Sequence, residues 1–329
     1  MVTIYKDNDA DLSILKGKKI AVLGYGSQGR HQALNLKDSG LDVVIGLKKG
    51  SKSWKVAEQD GFNVYSVAEA SKIADFIIML IPDVRQPEVY ASEIAPNLKA
   101  GKILGVSHGF NIHFGLVKPP KDIDVIMVAP KSPGVRVREE YLKGYGVPSI
   151  VAVYQDYSGK AWAETLAWAK GIGSTRPGVI KTTFKEETET DIFGEQCVLV
   201  GGLMELIKTG FEVLTEKGYQ PEVAYFEVCN EAKLIMDLIF QGGMEKMLKG
   251  VSDTAKYGGL VYGPKVIDDD TKRKMEWVLG NITSGNFAKE WMSDPAASMK
   301  RLSALMEETM NHPIEKVGKE VRRLMGQEK

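Results

Sequence analysis

The spacing of hydrophobic and polar residues changes character near Thr182. Before that point, short runs rich in Val and Ile alternate with helical segments, which is typical of a parallel α/β sheet. Most of these runs do not alternate with polar residues, so the strands they predict are covered on both faces. The predicted strands are residues 19–23, 42–47, 63–65, 76–81, 102–106, 125–128 and 149–153, with a helix at 158–171.

Beyond Thr182 the strand pattern nearly disappears and helical periodicity dominates. Thr188 and Asp191 have the spacing of a capping box at the start of the first helix. Because 329 residues exceed the usual size of a single core, two domains are expected, at 1–182 and 183–329. The predicted helices of the second domain are residues 187–217, 221–242, 271–284, 287–293 and 296–326.

Composition narrows the class of protein without naming a function. The chain has 43 basic and 43 acidic residues, so nothing global favours nucleic acid or an anionic membrane as partner. No apolar run approaches the roughly 20 residues that span a bilayer, and the N-terminus lacks a signal-peptide pattern. Cys197 and Cys229 lie in apolar helical segments and are predicted to be buried and reduced. We therefore expect a soluble, cytoplasmic protein.

Two acidic pairs stand on predicted helices with apolar residues along the same faces. Asp191 and Glu195 are four residues apart, and so are Glu227 and Glu231. Four residues is the spacing that puts two carboxylates on one helix face, where they repel each other. Carboxylates among core residues need a compensating partner. If the four converge, one or two hard divalent cations would suit them.

A glycine-rich loop between the first strand and the following helix predicts a dinucleotide site. The loop reads Gly24, Tyr25, Gly26, Ser27, Gln28, Gly29. This is the fingerprint in which glycines permit a tight turn and close approach of a pyrophosphate. No acid follows the second strand, where NAD sites usually hold the ribose. Lysines and serines stand there instead and favour the 2′-phosphate of NADPH: Lys48, Lys49, Ser51, Lys52 and Ser53.

Other polar residues fall at the carboxyl ends of later predicted strands. Asp83 and Gln86 follow the fourth strand, His108 the fifth and Lys131 the sixth. Open α/β sheets bind their ligands at this edge, so the side chains are candidates for the same site. The remaining histidines are expected to serve surface or packing roles: His31, His113 and His312.

Taken together, the segments GYGSQG, SHGF, APKSPG, KEETETDIFGEQ and FEVCNEAKLIMDL resemble the ketol-acid reductoisomerase family. The resemblance covers nearly the whole chain, and its length is similar to that of the short form of the family. It implies a Rossmann-type, doubly wound parallel sheet followed by an all-α domain with an unusually threaded, knotted path.

The resemblance also implies roles for individual residues. Asp191, Glu195, Glu227 and Glu231 match the ligands of two Mg²⁺ ions, the second pair being supplied by the partner subunit of a homodimer. Ser252 matches a substrate-contacting serine, also from the partner. His108, Lys131 and Glu195 are assigned to catalysis. The positions that match NADP contacts are Gly24, Tyr25, Gly26, Ser27, Gln28, Gly29, Lys48, Ser51, Ser53, Asp83, Val84, Arg85, Gln86 and Gly134.

The implied reaction converts 2-acetolactate or 2-aceto-2-hydroxybutyrate by Mg²⁺-dependent alkyl migration and reduction with NADPH. Two alternatives stay open on the residues alone: a metal-independent 3-hydroxyacid dehydrogenase and a non-enzymatic NADP-sensing protein. Neither explains the four carboxylates. The chain departs from the family pattern at Val135, Asn230 and Ala232, which changes no implied ligand.

Overall fold

Nine strands form one sheet within residues 2–328, the part of the chain that the computed structural model describes. The order across the sheet is β1-β9-β8-β7-β6-β5-β2-β3-β4. The strands are β1 (Ile4–Tyr5), β2 (Lys19–Leu23), β3 (Asp42–Gly46), β4 (Asn63–Tyr65), β5 (Phe76–Met79), β6 (Ile103–Val106), β7 (Asp124–Pro130), β8 (Ser149–Gln155) and β9 (Val179–Lys181).

The predicted doubly wound sheet is confirmed, but it is mixed and not wholly parallel. Strands β2 to β7 pair in parallel, with β2 between β3 and β5. The chain therefore winds in opposite directions from the junction of β2 and β5, the place where such sheets bind ligands. Strand β8 runs antiparallel to β7, and β1 runs antiparallel to β9.

All seven predicted strands are present, whereas β1 and β9 were not predicted. These two strands have only two and three residues, too few for a periodic pattern to distinguish them from loop. The direction of β8 was also not visible in its residues, because direction depends on the neighbouring strand and the connection between them.

The sheet is buried on both faces, as its continuous apolar strands predict. In β2, Ile20 and Val22 belong to one core cluster, while Ala21 and Leu23 belong to another. Successive side chains of a strand point to opposite faces, so each face has its own core. The helices of this part are α1 (Ser27–Asp38), α2 (Lys52–Gln59), α3 (Val67–Ile73), α4 (Gln86–Val89), α5 (Phe110–His113), α6 (Gly134–Leu142), α7 (Ala161–Gly171) and α8 (Phe184–Gly194).

The rest of the described chain is helical, as expected. Proline at the first turn helps to start α10, α15 and α16. The helices are α9 (Gly201–Glu216), α10 (Pro221–Tyr225), α11 (Glu231–Gly250), α12 (Asp253–Val266), α13 (Asp269–Thr283), α14 (Asn286–Met292), α15 (Pro295–Met310) and α16 (Pro313–Leu324).

Several predicted helix boundaries were wrong. Helix α8 begins at Phe184, so Thr188 lies inside it and is buried, and the predicted capping box does not form. The predicted helix 296–326 is two helices, because Pro313 starts a new one. Helix α12 was not predicted, since its three glycines and Pro264 all have low helix propensity.

The chain divides into two compact units, the first ending at Thr190 and the second beginning at Asp191. This division falls inside α8, and the domain boundary at 182/183 stays a prediction. No helix among residues 2–328 is both long enough and apolar enough to cross a membrane.

Candidate functional site

The glycine-rich loop after β2 is built for close contact with an anion. Gly24 has φ of 99°, and a Cβ there would lie 2.5 Å from the carbonyl oxygen of Leu80, after β5. Gly26 caps α1 with no side-chain hydrogen bond, so no side chain of the cap covers the first N–H groups of the helix. A helix N-terminus with these properties suits a pyrophosphate.

The loop after β3 contains an unsatisfied hydroxyl. Ser51 is the N-cap residue of α2, and its Oγ is buried with no hydrogen-bond partner among the described residues. A buried polar atom usually has a partner, so this orphan fits a ligand oxygen. Lys48 is exposed beside it, and Ser53 lies in the first turn of α2. These groups fit a 2′-phosphate.

The turn after β5 forms a polar network. Gln86 donates from Nε2 to the carbonyl of Ile81 at 2.8 Å and to Oδ1 of Asp83 at 3.0 Å. The buried Asn111 donates from Nδ2 to Oε1 of Gln86 at 3.0 Å. Val84 and Arg85 lie in the same turn, a short 3₁₀ helix. Sequence reasoning missed Asn111, because nothing local relates it to a turn 25 residues earlier.

The ends of β6 and β7 place His108 and Lys131 on one buried carboxylate. His108 Nδ1 lies 3.2 Å from both carboxylate oxygens of Glu187, on α8. Lys131 Nζ donates to Oε1 of the same group at 3.4 Å, and the amide of Gly109 donates to Oε2 at 3.0 Å. The side chain of Glu187 is only 1% exposed.

The surroundings of Glu187 favour its charged form. Burial by itself raises the pKa of this carboxyl, but hydrogen bonding and charge from His108, the amide of Gly109 and the charge of Lys131 outweigh it. The net result is a pKa below the ordinary value. Glu187 is therefore a buried anion that holds His108 and Lys131 in place.

Sequence reasoning missed Glu187, because nothing in its local sequence shows that it faces His108 and Lys131, which lie 79 and 56 residues earlier in the chain. The usable signal was its spacing, since it lies four residues before Asp191 on the same helix. One potential ligand atom from each of His108, Glu187 and Asp191 lies within 4.8 Å of the others. The two carboxylates of this group offer oxygen ligands of the kind that hard divalent cations prefer, and the histidine offers a ring nitrogen.

The two acidic pairs lie where helices are locally irregular. A π-helical turn spans Glu195–Leu199, directly after the helix that carries Asp191. A second π-helical turn spans Phe226–Asn230, which includes Glu227 and directly precedes Glu231. Turns of this kind are rare and frequent at functional sites, and propensities do not reveal them.

The expectation that these carboxylates lie among core residues was wrong for the single chain. Glu195, Glu227 and Glu231 are exposed. So are apolar neighbours on their helices, including Leu199 at 66% and Leu234 at 53% exposure. The two cysteines are half-buried free thiols, not fully buried ones.

Two further predicted positions have clear local roles. Gly134 opens α6, where its N–H donates to Ser27 Oγ at 3.1 Å, and a Cβ there would overlap the backbone of Ser27. Ser252 is the exposed N-cap residue of α12 and accepts a hydrogen bond from the amide of Ala255 at 3.2 Å. The assignments of all the site residues stay predictions.

A doubly wound sheet with a glycine-rich loop at the point where its winding reverses is typical of dinucleotide-binding proteins. The family model described as "Acetohydroxy acid isomeroreductase, NADPH-binding domain" matches residues 14–178. The model described as "Ketol-acid reductoisomerase, C-terminal domain" matches residues 184–327. The chain belongs to the ketol-acid reductoisomerase family.

Relatives and a solved structure agree with this membership. A ketol-acid reductoisomerase (NADP(+)) of Pyrobaculum aerophilum is 65% identical over 99% of both chains. One from Pyrococcus abyssi is 58% identical over 100% of this chain and 99% of its own length. The structure of an NADH-preferring ketol-acid reductoisomerase from an uncultured archean matches 98% of this chain and 99% of its own. It has a TM-score of 0.94 and is 48% identical.

The family resemblance predicted from the sequence is thereby confirmed. The predicted enzyme class, an NADP-dependent oxidoreductase and isomerase acting on a small molecule, is confirmed with it. The metal-independent dehydrogenase and the NADP-sensing protein are no longer needed as explanations.

Proposed function

We propose that the chain catalyses the two-step conversion of 2-acetolactate or 2-aceto-2-hydroxybutyrate to a 2,3-dihydroxy-3-methyl acid. The first step is an Mg²⁺-dependent alkyl migration and the second a reduction by NADPH, within valine, isoleucine and leucine biosynthesis. One structural observation carries the proposal. The sheet edge that presents the glycine-rich loop also presents His108 and Lys131 on the buried carboxylate of Glu187.

The chain's own residues would bind and orient the substrate and handle its protons. His108 and Lys131, held by Glu187, would position substrate oxygens and supply a proton to the reduced carbonyl. A hydroxide ion or a site carboxylate, of which Glu195 is the one assigned to catalysis, would accept the proton that leaves the tertiary hydroxyl. Asp191, Glu195, Glu227 and Glu231 offer carboxylate oxygens that would hold two Mg²⁺ ions, and these supply Lewis acidity when bound.

We propose NADPH as the preferred cofactor. The support is the loop after β3, in which Lys48 and Lys49 are exposed beside the unsatisfied Ser51 hydroxyl, with no acid in place for a ribose 2′-hydroxyl. Since a similar solved structure is of an NADH-preferring enzyme, kcat/KM of this chain should be measured with both NADPH and NADH. A higher kcat/KM with NADH than with NADPH would contradict this assignment.

We propose a homodimer in which Glu227, Glu231 and Ser252 complete the partner's site. The support is the exposed apolar surface of the helices in the second unit. The threaded path, the dimer and a cytoplasmic location are predictions of the resemblance and of the chain's composition.

The proposed function is tested by following NADPH oxidation with 2-acetolactate, with and without Mg²⁺. We expect turnover that requires Mg²⁺, stops with EDTA and returns when excess Mg²⁺ is added. Turnover that EDTA leaves intact would contradict the metal-dependent reaction. NADP binding without any turnover would favour a non-enzymatic role.

A further inference from the structure

A buried glutamine on α1 belongs to a set of contacts between the start of its own helix and the loops after β6 and β7. Gln32 has no exposed surface. Its Nε2 donates to Oε1 of Gln28 at 3.1 Å and to Oγ of Ser107 at 2.9 Å. Gln28 in turn donates from Nε2 to the carbonyl oxygen of Ser132 at 2.9 Å. These three hydrogen bonds form a continuous chain, here called the amide ladder.

The direction of every bond in the amide ladder is fixed. The carbonyl of Ser132 can only accept, so Gln28 must turn its NH₂ group toward it. The Oε1 of Gln28 then faces Gln32 and can only accept as well, so Gln32 presents its own NH₂ group. The second N–H of that group binds Ser107. No alternative placement of the two amides satisfies all three contacts.

The amide ladder connects the cofactor loop to both catalytic loops. Gln28 belongs to the glycine-rich fingerprint, Ser107 directly precedes His108, and Ser132 directly follows Lys131. A parallel contact, from the amide of Gly134 to Ser27 Oγ at 3.1 Å, joins the same two segments again. The start of α1 is thus held at a set distance from the ends of β6 and β7.

Packing alone does not account for Gln32. Its Oε1 is buried and has no hydrogen-bond partner among the described residues. An unsatisfied buried acceptor is costly, and an apolar side chain of the same length would avoid that cost. A buried polar group with this liability calls for an explanation beyond stability.

We propose that Gln32 is a positioning residue for hydride transfer. By holding Gln28 and Ser107 together, it sets the distance between the bound nicotinamide cofactor and the loops that carry His108 and Lys131. Because Gln32 has no exposed surface, it would act through Gln28 and Ser107 and not by touching cofactor or substrate. This inference rests on the proposed function for the reaction, but its effect on cofactor binding does not.

Three variants separate positioning from stability. Gln32→Met removes both of its hydrogen bonds at similar volume. Ser107→Ala removes only the contact with the His108 loop. Asn35→Leu is the matched control: Asn35 is a buried amide on the same helix, but it donates to the carbonyls of Val137 and Ile172 and accepts from Arg138.

The measurements are NADP⁺ binding to the Mg²⁺-free protein by calorimetry, kcat with 2-acetolactate, and Tm. Gln32→Met should weaken NADP⁺ binding and lower kcat, each by about tenfold, since it removes two neutral hydrogen bonds. Ser107→Ala should lower kcat by about threefold, with NADP⁺ binding unchanged. Asn35→Leu should lower Tm at least as much as Gln32→Met while leaving NADP⁺ binding and kcat unchanged.

Two results would overturn the proposal. One is wild-type binding and kcat in Gln32→Met. The other is equal losses of binding and kcat in Gln32→Met and Asn35→Leu, which would mean that both act through stability. If Gln32→Met does not fold, an unchanged kcat in Ser107→Ala would refute the link to the His108 loop. Failure of the wild type to turn over 2-acetolactate would contradict the proposed function instead, and the NADP⁺ measurements would still test the amide ladder.

Discussion

The first unit has an extensive buried apolar core, whereas the second has a small one and leaves many large apolar side chains exposed. The first has two extensive core clusters, one on each face of the sheet. The second has a small cluster of five buried residues: Phe211, Ala224, Tyr225, Ile314 and Val321. On the second unit, large apolar side chains are exposed to solvent, including Phe240 at 88% and Trp277 at 70% exposure.

This difference indicates that the two units reach stability by different routes. A two-sided sheet core supplies the first unit with extensive buried apolar area within one chain. Exposed apolar surface on the scale of the second unit is rare in monomers and marks an interaction surface. The chemistry divides in the same way, because the predicted cofactor contacts belong to the first unit and the predicted metal ligands to the second.

The largest expected effect comes from a carboxylate of the second unit. Glu227→Gln should lower the rate with 2-acetolactate by about a thousandfold or more, because a Lewis acid contributes several kcal/mol to such a step. NADP⁺ binding should not change, since the cofactor contacts lie in the other unit. Steady-state kinetics and calorimetry check both parts, and an active variant would refute the ligand role.

A core substitution in the first unit should cost stability regardless of protein concentration. Phe76→Ala removes a fully buried ring that packs edge-on against Trp168 at 5.4 Å between centroids. We expect a loss of about 3–5 kcal/mol in the free energy of unfolding. Urea unfolding at two protein concentrations measures it. A strongly concentration-dependent loss would contradict the contrast between the units.

A negative charge introduced on the exposed surface of the second unit should affect dimerisation, in contrast to the core substitution in the first unit. Phe240→Glu is expected to weaken dimerisation by about tenfold or more, since burying a Phe contributes about 1.5–3 kcal/mol. Sedimentation velocity across a dilution series measures this. The matched control is Tyr145→Glu on the first unit, where Tyr145 is 62% exposed. Equal effects of the two substitutions would contradict the assignment of the interface.

The smallest expected effect is a pH dependence of Tm that arises from a buried carboxyl of the first unit. Burial raises the pKa of the Glu164 carboxyl, although Lys18 lies 3.4 Å away and opposes this. A raised pKa in the folded state means that Glu164 contributes most stability below its ordinary pKa of 4.5. This contribution is lost as pH rises through the folded-state pKa.

The comparison with Glu164→Gln isolates this contribution. The Tm of the wild type should therefore rise relative to that of the variant as pH falls from 7 to 4.5. Thermal unfolding across that range measures the difference. A constant difference between the two proteins would contradict the expected titration.

The sequence alone was enough for the features that rest on local patterns. The glycine-rich fingerprint, the basic loop after β3 and the buried strands follow from residues close together in the chain. The family could also be predicted from the sequence, because its motifs are short and specific. The seven predicted strands differ from the observed ones only at their ends, for the same reason.

Tertiary structure decided everything that depends on residues far apart in the chain. The reversed direction of β8, the pairing of β1 with β9 and the network around Asn111 all come from such contacts. The contacts of Glu187 with His108 and Lys131 follow only from the packing of α8 against the ends of β6 and β7. A charge in a helical run looks the same from the sequence whether it faces solvent or a histidine, because its burial is set by what packs against it.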